Sequence, residues 1–432
     1  MKQHRGSLNM ERAPVDTGHH TRRVGVLLTG SVEPDYAIDC TPNLNLHQFV
    51  VAMFSIFGFI SRVRTSSNPP EAKPLPNSKP IKFGVLGAAA IAPAALIIPA
   101  KSHPEAVVHA VAARSKDRAA AFAKQHGIAK VFGGLNSYQE LIDDPEIEAI
   151  YNPLPNGLHY EWTMKALAAG KHVLLEKPAA NTAEETRKMF ELAEAKGVVL
   201  LEAFHYRFHP VAFRVKSILE SGELGAVRST STTLSLPRGY MKADDIRFDY
   251  GLGGGALMDM GCYTIQAMRY FTGAEPTSVL SVKHDLQSPQ IDRKTVATFS
   301  LPGSITSTIL CDLSAPPTLK LIPSMPNLNA HIKCEKGEIK VMNYIAPTTY
   351  HSITVTTGGK SRVEKAYTFP ELGEPWWTSY RYQLEAFVNK VKGRTPHAWI
   401  TKEDSIKNME VIESVYTKSG LGSRPKSDYI PN

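Results

Sequence analysis

Six short apolar runs, at 82–87, 107–113, 130–132, 148–152, 172–176 and 198–203, alternate with segments of helical period. That alternation predicts a doubly wound sheet of parallel strands. The helices between are punctuated as helices should be. Ser137 with Glu140 and Thr182 with Glu185 are spaced as capping boxes, and Gly127, Gly170 and Gly197 stand where a left-handed residue closes a helix. From about residue 206 the pattern changes. A helix at 210–221 precedes strand-like runs at 227–236, 277–284, 293–300, 304–312, 329–334, 337–342, 350–357 and 363–369, which predict one large, mostly antiparallel sheet. A glycine-led helix at 253–271 interrupts them, and two terminal helices near 377–392 and 402–418 are expected to pack back on the body.

The first 80 residues are a different material. Residues 1–48 lack an apolar period, and 64–80 form a proline-rich linker. Between them Phe49–Ile60 is apolar but shorter than the roughly 20 residues that span a bilayer. Three readings stand open: an interfacial anchor with Arg62 and Arg64 at headgroup level, a helix docked on the protein itself, or disorder. A start at Met53 would make residues 1–52 an upstream extension, which a mass spectrum of the natural amino terminus would decide.

The chain has 432 residues, enough for two cores, and its 43% apolar and 21% charged content is that of an ordinary globular protein. Of the net charge of +8, residues 1–80 carry +3, and no basic stripe interleaved with aromatics appears, so nucleic acid is not the expected partner. Cys40, Cys262, Cys311 and Cys334 form no CxxC pair and have no histidine at ligand spacing. This predicts neither a metal site nor a disulfide framework and suits the reducing cytoplasm.

Candidate chemistry gathers at strand ends. The first turn, Gly87-Ala88-Ala89-Ala90-Ile91-Ala92-Pro93, follows the first strand as a GxGxxG/A fingerprint with Ala89 in place of the second glycine, and predicts dinucleotide binding on a Rossmann sheet. The second strand ends in Arg114, Ser115 and Arg118 where an NAD site places a carboxylate; a guanidinium there can pair with a 2′-phosphate, so NADP is the expected cofactor. The fifth strand ends in Glu176-Lys177-Pro178, which places Lys177 in the crevice at the carboxyl ends of the strands. On the glycine-led helix Asp259 and Tyr263 stand four residues apart on one face. A phenol is a poor base at neutral pH unless a cation stabilises its ionised form, and Lys177 is the expected cation.

The 87–92 turn, Glu176-Lys177-Pro178, the run Glu202–Pro210 and the run Gly255–Tyr263 together resemble the glucose-fructose oxidoreductase/inositol dehydrogenase/MocA-type (Gfo/Idh/MocA) superfamily, within it fungal NADP-dependent D-xylose 1-dehydrogenases and dimeric dihydrodiol dehydrogenases. The resemblance covers residues 81–432. It implies an α/β architecture, an N-terminal Rossmann sheet plus a C-terminal α+β domain with a large open sheet. Residues 1–80 are then an extension and linker outside the fold, 81–205 the NADP-binding domain, and 206–432 the substrate-binding and oligomerisation domain. By resemblance Lys177 and Tyr263 match the catalytic pair and Asp259 the family's carboxylate. Gly87, Ala88, Ala89, Ile91, Arg114, Ser115, Arg118, Asn156, His159, Glu176 and Lys177 face the cofactor, and His205 and Arg207 line the substrate side. His205 stands where the dihydrodiol enzymes carry tryptophan, which favours a sugar over an arene diol. The expected reaction is oxidation of an aldopyranose at its anomeric carbon, D-xylose to D-xylonolactone, with trans-1,2-dihydrobenzene-1,2-diol oxidation and a non-catalytic nucleotide sensor as alternatives. An apolar face on the large sheet is expected to be covered by a second copy in a homodimer.

Overall fold

The computed structural model describes residues 46–431, apart from 74, 243 and 318–323, with side chains from Ile56 onward. The chain divides into two units, Met1–Ala52 and Met53–Asn432, of which the second carries both sheets. The expectations over residues 1–45 lie outside the described residues.

Helix α1 (Leu46–Ser67) precedes the first sheet, whose strands β1 (Ile81–Leu86), β2 (Ala106–Ala113), β3 (Lys130–Gly133), β4 (Ala149–Asn152), β5 (His172–Leu175) and β6 (Leu200–Glu202) match the six apolar runs. They are parallel throughout, in the order β3-β2-β1-β4-β5-β6, so the order reverses between β1 and β4. Connecting them are α2 (Ile98–Lys101), α3 (Lys116–His126), α4 (Ser137–Asp143), α5 (His159–Ala168) and α6 (Ala183–Lys196). Strands buried on both faces need apolar side chains at successive positions. Phe83, Val85, Tyr151 and Leu174 fill one face and Leu86, Ile150, Val173 and Leu175 the other.

The helix ends mostly follow the expected punctuation. Thr182 and Glu185 close a reciprocal capping box on α6, and Gly127 and Gly197 adopt left-handed backbone at φ 68° and 65°. Ser137 is a correction: it is the first residue of α4 rather than its cap, Asn136 takes the cap position, and no side chain caps the helix.

Helix α7 (Pro210–Glu220) leads into the second sheet, built from β7 (Val227–Pro237), β8 (Ser278–Ser288), β9 (Ile291–Leu301), β10 (Ile305–Ala315), β11 (Ala330–Cys334), β12 (Gly337–Met342), β13 (Ser352–Thr357) and β14 (Lys360–Glu364). Its order is β14-β13-β12-β11-β7-β10-β9-β8, antiparallel except for the β7–β10 pair. Helix α8 (Cys262–Thr272), entered through a π-helical turn at Leu257–Gly261, packs on β7 and β10. On β7, β9 and β10 the inward residues Thr232, Ala297, Phe299 and Ile309 are buried, while the outward positions include Ser229, Ser231, Thr233, Thr298, Ser300, Thr306 and Thr308, with Val227 and the paired Val296 and Leu310 as apolar members. The open face is therefore rich in hydroxyls and not the apolar surface expected.

Helices α9 (Ser379–Val391) and α10 (Lys402–Ser419) return to the first half, α9 setting Phe387 against Phe83 at 5.7 Å and α10 packing on α6. Part of the segment expected to lie outside the fold is also seated on it, with Ala72 N–H donating to Lys101 O at 2.9 Å and Lys392 Nζ to Lys79 O at 2.7 Å. One continuous apolar core joins β1 to β9 and β13.

Candidate active site

A cleft of about 800 Å³ opens at the carboxyl ends of β1, β2, β4 and β5, where a doubly wound sheet leaves room at its switch point, and is closed from the other side by β7 and the turn before α8. The turn after β1 forms its floor. Gly87 takes φ +86°, a backbone that favours glycine, and its N–H donates to Ala112 O at 2.7 Å. Pro93 opens the helix that follows, beginning as a π-helical turn over Pro93–Ile97 before one turn of α2. Ala88, Ala89 and Ile91 line the cleft beside it.

At the end of β2, Arg114, Ser115 and Arg118 line one edge of the same cleft. Ser115 caps α3 by accepting from Arg118 N–H at 3.3 Å, which leaves its hydroxyl proton free to donate outward. No carboxylate lines this edge among the described residues; two guanidinium groups and a hydroxyl do, a donor set that suits a phosphate-bearing dinucleotide.

The turn after β4 is braced rather than loose. Asn156 donates to Gly253 O at 3.0 Å and Gly157 N–H to Leu252 O at 2.9 Å; a Cβ on Gly157 would stand 2.7 Å from Gly251 O. His159 lines the cleft, yet both ring nitrogens are spent on carbonyls, Nδ1 on Pro178 O at 2.8 Å and Nε2 on Leu154 O at 2.7 Å. Burial, helped by Lys177, pushes its pKa down to about 4 against the pull of those carbonyls, so it is a neutral brace. The brace meets the Lys177–Pro178 peptide bond, which is cis.

Lys177, Asp259 and Tyr263 meet in the cleft. Lys177 Nζ donates to Asp259 Oδ1 at 2.9 Å and to Asp259 O at 2.7 Å, and Arg247 Nε donates to the other carboxylate oxygen at 2.8 Å. Burial alone would raise the Asp259 carboxyl; the two cations outweigh it and hold the group well below the usual carboxylate range. Burial likewise opposes the Lys177 charge, and the Asp259 carboxylate outweighs it, so the ammonium is retained. Tyr263 is different. Burial first, then Tyr380, Glu176, Cys262 and Asp259, push its phenol well above 10.

The expectation that Lys177 acidifies Tyr263 is corrected here, because Lys177 spends its hydrogen bonds on Asp259 and sits 4.9 Å from the centroid of the Tyr263 ring, over its face. Glu176 also lines the cleft; it accepts from Tyr151 Oη at 2.7 Å, and burial raises its pKa.

His205 lines the cleft with its ring stacked on Tyr380, 4.0 Å between centroids, and Nδ1 bonded to Ser379 Oγ at 2.8 Å. Burial and Lys177 lower its pKa to about 3. Arg207 is a second correction: it is absent from the cleft lining, because its guanidinium pairs with Asp404 at 3.0 Å and lies on the Tyr270 ring at 3.7 Å. Arg247, Tyr380 and Tyr138 line the cleft without having been anticipated, as do Leu234, Leu236, Met241, Leu328 and Ile345. Arg247 lies in a stretch without period and Tyr380 is distant in sequence; neither carried a local signal. Behind the cleft the fully buried Arg424 donates to Gly254 O at 2.6 Å and to Asp292 Oδ1 at 3.0 Å, while Asn181 donates to Pro425 O at 2.7 Å.

This combination of sheet, turn and cleft has relatives. The family model described as the oxidoreductase family with an NAD-binding Rossmann fold matches residues 81–204, and that of the GFO/IDH/MocA C-terminal domain matches 213–340. The chain belongs to the Gfo/Idh/MocA family. Among Gfo/Idh/MocA proteins it is similar to D-xylose 1-dehydrogenase (NADP(+)) 2 of Haloferax volcanii, 34% identical over 351 residues that cover 80% of this chain and 99% of the relative. The trans-1,2-dihydrobenzene-1,2-diol dehydrogenase of Mus musculus is 29% identical, covering 62% of this chain and 76% of its own. Two solved structures share the fold with TM-scores of 0.68. They are an aldose-aldose oxidoreductase from Caulobacter crescentus, 22% identical with 79% and 98% of the two chains covered, and a 3-ketoreductase from Actinomadura kijaniata with NADP, 26% identical with 82% and 100% covered. As a Gfo/Idh/MocA oxidoreductase the chain carries its NAD(P)-binding Rossmann fold in residues 81–204.

Proposed function

We propose that this chain is an NADP-dependent dehydrogenase that oxidises an aldopyranose at its anomeric carbon, with D-xylose the first candidate and D-xylonolactone the product. The observation that carries the reading is the meeting of Lys177, Asp259 and Tyr263 in the cleft floored by the Gly87 turn. Gly87, Ala88, Ala89, Ile91, Asn156 and Glu176 would hold the dinucleotide, with Arg114, Ser115 and Arg118 on its 2′-phosphate. NADP, when bound, supplies the hydride acceptor.

The chain's own groups then manage the proton and the orientation. Tyr263 Oη is the group assigned to the C1 hydroxyl proton. Tyr263 is a neutral phenol and Lys177 is held on Asp259, so together they present donors, the arrangement that suits a carbonyl oxygen in the reverse reaction. Oxidation needs the phenol ionised, and Lys177, already over the ring, is the cation able to turn from Asp259 to stabilise it. Asp259, fixed by Arg247, remains an ionised acceptor for substrate hydroxyls. His205 Nε2 has no partner among the described residues and offers a further polar contact.

One observation favours a second reading. Leu234, Leu236, Met241, Leu328 and Ile345 give the second-sheet side of the cleft an aliphatic wall, which suits the hydrocarbon ring of an arene diol as well as the C–H edge of a sugar. NADPH formation from D-xylose, D-glucose, L-arabinose and benzene dihydrodiol, with NAD in parallel, separates the readings. Preferential turnover of xylose with NADP supports the first and turnover of the diol the second. Tight NADP binding with no turnover would leave a substrate outside this panel or a nucleotide sensor. We further place the enzyme in the cytoplasm as a homodimer, Cys262, Cys311 and Cys334 being free thiols. The hydroxyl-rich sheet face is the dimer surface proposed, and light scattering giving a monomer mass would remove it.

A further inference from the structure

Helix α1 is the segment that the reaction does not use. From Phe49 to Ile60 it reads Phe-Val-Val-Ala-Met-Phe-Ser-Ile-Phe-Gly-Phe-Ile, with no charge and one polar residue, and then changes to Ser61-Arg62-Val63-Arg64. Apolar residues so placed on a soluble body are normally buried. Here Ile56, Phe57, Phe59 and Ile60 are 57%, 61%, 40% and 53% exposed. With 3.6 residues per turn these four side chains sweep about 160° of the helix surface. Arg64 falls within the same arc and is exposed, whereas Arg62 falls on the opposite side. Arg62 is the tie to the body: it donates to Thr349 O at 3.3 Å and lies 4.0 Å over the Tyr367 ring.

At the foot of that apolar face sits a cluster of cations and tyrosines. Lys365 lies 3.9 Å over the ring of Tyr350, which is 43% exposed, and Lys365 and Arg62 repel one another. Neither Arg62, Arg64 nor Lys365 makes an ion pair among the described residues, though Lys365 Nζ donates to His351 O, and Arg62 Nε is buried without a partner. An apolar helix end, then a belt of tyrosine rings and unpaired cations, is the layering of an interfacial segment: hydrocarbon inside, aromatic rings at the boundary, anionic headgroups outside. The twelve residues from Phe49 to Ile60 extend about 18 Å, enough for one leaflet and short of the roughly 30 Å hydrocarbon core, and no described helix is long and apolar enough to cross a membrane.

We propose that α1 docks this enzyme on an anionic lipid surface, with Ile56, Phe57, Phe59 and Ile60 in the acyl boundary and the exposed Arg64 and Lys365 facing the headgroups, while Arg62 holds the helix on the body. The partner is committed by charge. An apolar protein groove would accept the four side chains but leave Arg64 and Lys365 without counter-charges, whereas phosphate and carboxylate headgroups satisfy both. None of the residues that form this surface lines the cleft, so docking leaves the cleft chemistry unchanged.

The test is flotation of the full chain with phosphatidylcholine vesicles prepared with and without phosphatidylserine. The expected result is binding to the anionic vesicles that weakens as salt is raised. Phe57→Asp with Ile60→Asp should weaken it at least about tenfold, and Arg64→Glu about fivefold or more. Both variants should keep the parent's turnover, circular dichroism and mass by light scattering. No flotation of the parent chain, or equal flotation of the double variant, would overturn the proposal. So would a double variant that turns an oligomer into a monomer while vesicles bind neither form, because the face would then be a contact between copies.

Discussion

Tyr263 keeps its proton first because it is buried, and then because the groups packed around it are uncharged or negative and the nearest cation is committed to Asp259. Ionisation of that phenol is therefore the step that pH controls. Oxidative kcat/KM is expected to climb by about tenfold per pH unit across the neutral range, while the reductive direction stays flat; a pH-independent oxidation would remove the phenol as base. Tyr263→Phe should lower kcat by about 10² to 10⁴ and leave NADP affinity, read by fluorescence titration, unchanged. At the other end of the cleft Arg114→Asp should weaken NADP about 10- to 100-fold with little effect on NAD, and equal loss of both would defeat the 2′-phosphate assignment. The residues whose chemistry stands at strand ends were legible, since a strand's carboxyl end is a place the pattern itself defines. Arg207 misled because the short turn His205–Phe208 sends neighbouring side chains to different sides, one into the cleft and the other onto Asp404. Tyr380 was invisible because its place beside His205 depends on α9 returning across 175 residues of chain.

Helix α6 tests how much of an element its punctuation supplies. Thr182 Oγ1 accepts from Glu185 N–H at 3.2 Å and the Glu185 carboxylate answers the Thr182 N–H at 3.1 Å, both buried. Thr182→Ala should cost about 1 kcal/mol, read as a lower urea midpoint at unchanged m; no change would mean that packing against α10 alone fixes the helix start. The strands of both sheets were legible to within a few residues because buried strands require apolar runs. The exception is the last. The run 363–369 was read as a strand, whereas β14 is Lys360–Glu364, because Gly358 and Gly359, both at positive φ, form a two-residue turn that pairs Thr357 with Lys360 and sets the register. Likewise, inward and outward positions could be told apart on β9 and β10, but what covers the outward side depends on neighbours the sequence does not name.

Across the whole molecule the buried histidines set the response to acid. His159 and His351 are pushed down to about 4 and His205 to about 3, each by burial first. Their folded values lie below the ordinary 6.5, so the unfolded chain binds more protons as pH falls from about 6.5 toward 4, and stability drops over that window. Glu202 opposes them in part. Burial raises its carboxyl to about 8, so its contribution is present at low pH and lost as pH rises from 4.5 to about 8. His103, His172, His209 and His397 are lowered by burial as well, and they outnumber the carboxyls of Glu176, Asp312 and Glu413 that burial raises beside Glu202, which predicts a net fall on acidification, measurable as a urea midpoint that declines steadily from pH 7 to pH 5. A flat profile would mean that these imidazoles are not held neutral.

Arg424 gives the assembly an order in time. Synthesis proceeds from the amino end, and the first sheet, the Gly87 turn, Lys177 and Tyr263 all leave the ribosome ahead of it. The strap that fixes Gly254, Asp292 and Asn181 arrives only with residues 424 and 425. A nascent chain thus holds the strands of the first sheet, and from α9 onward their cover at Phe387, while the wall opposite is still unfastened. Under the proposed function such a chain would take up dinucleotide before it turned over substrate, and bound dinucleotide would act as a template on which the remaining part closes.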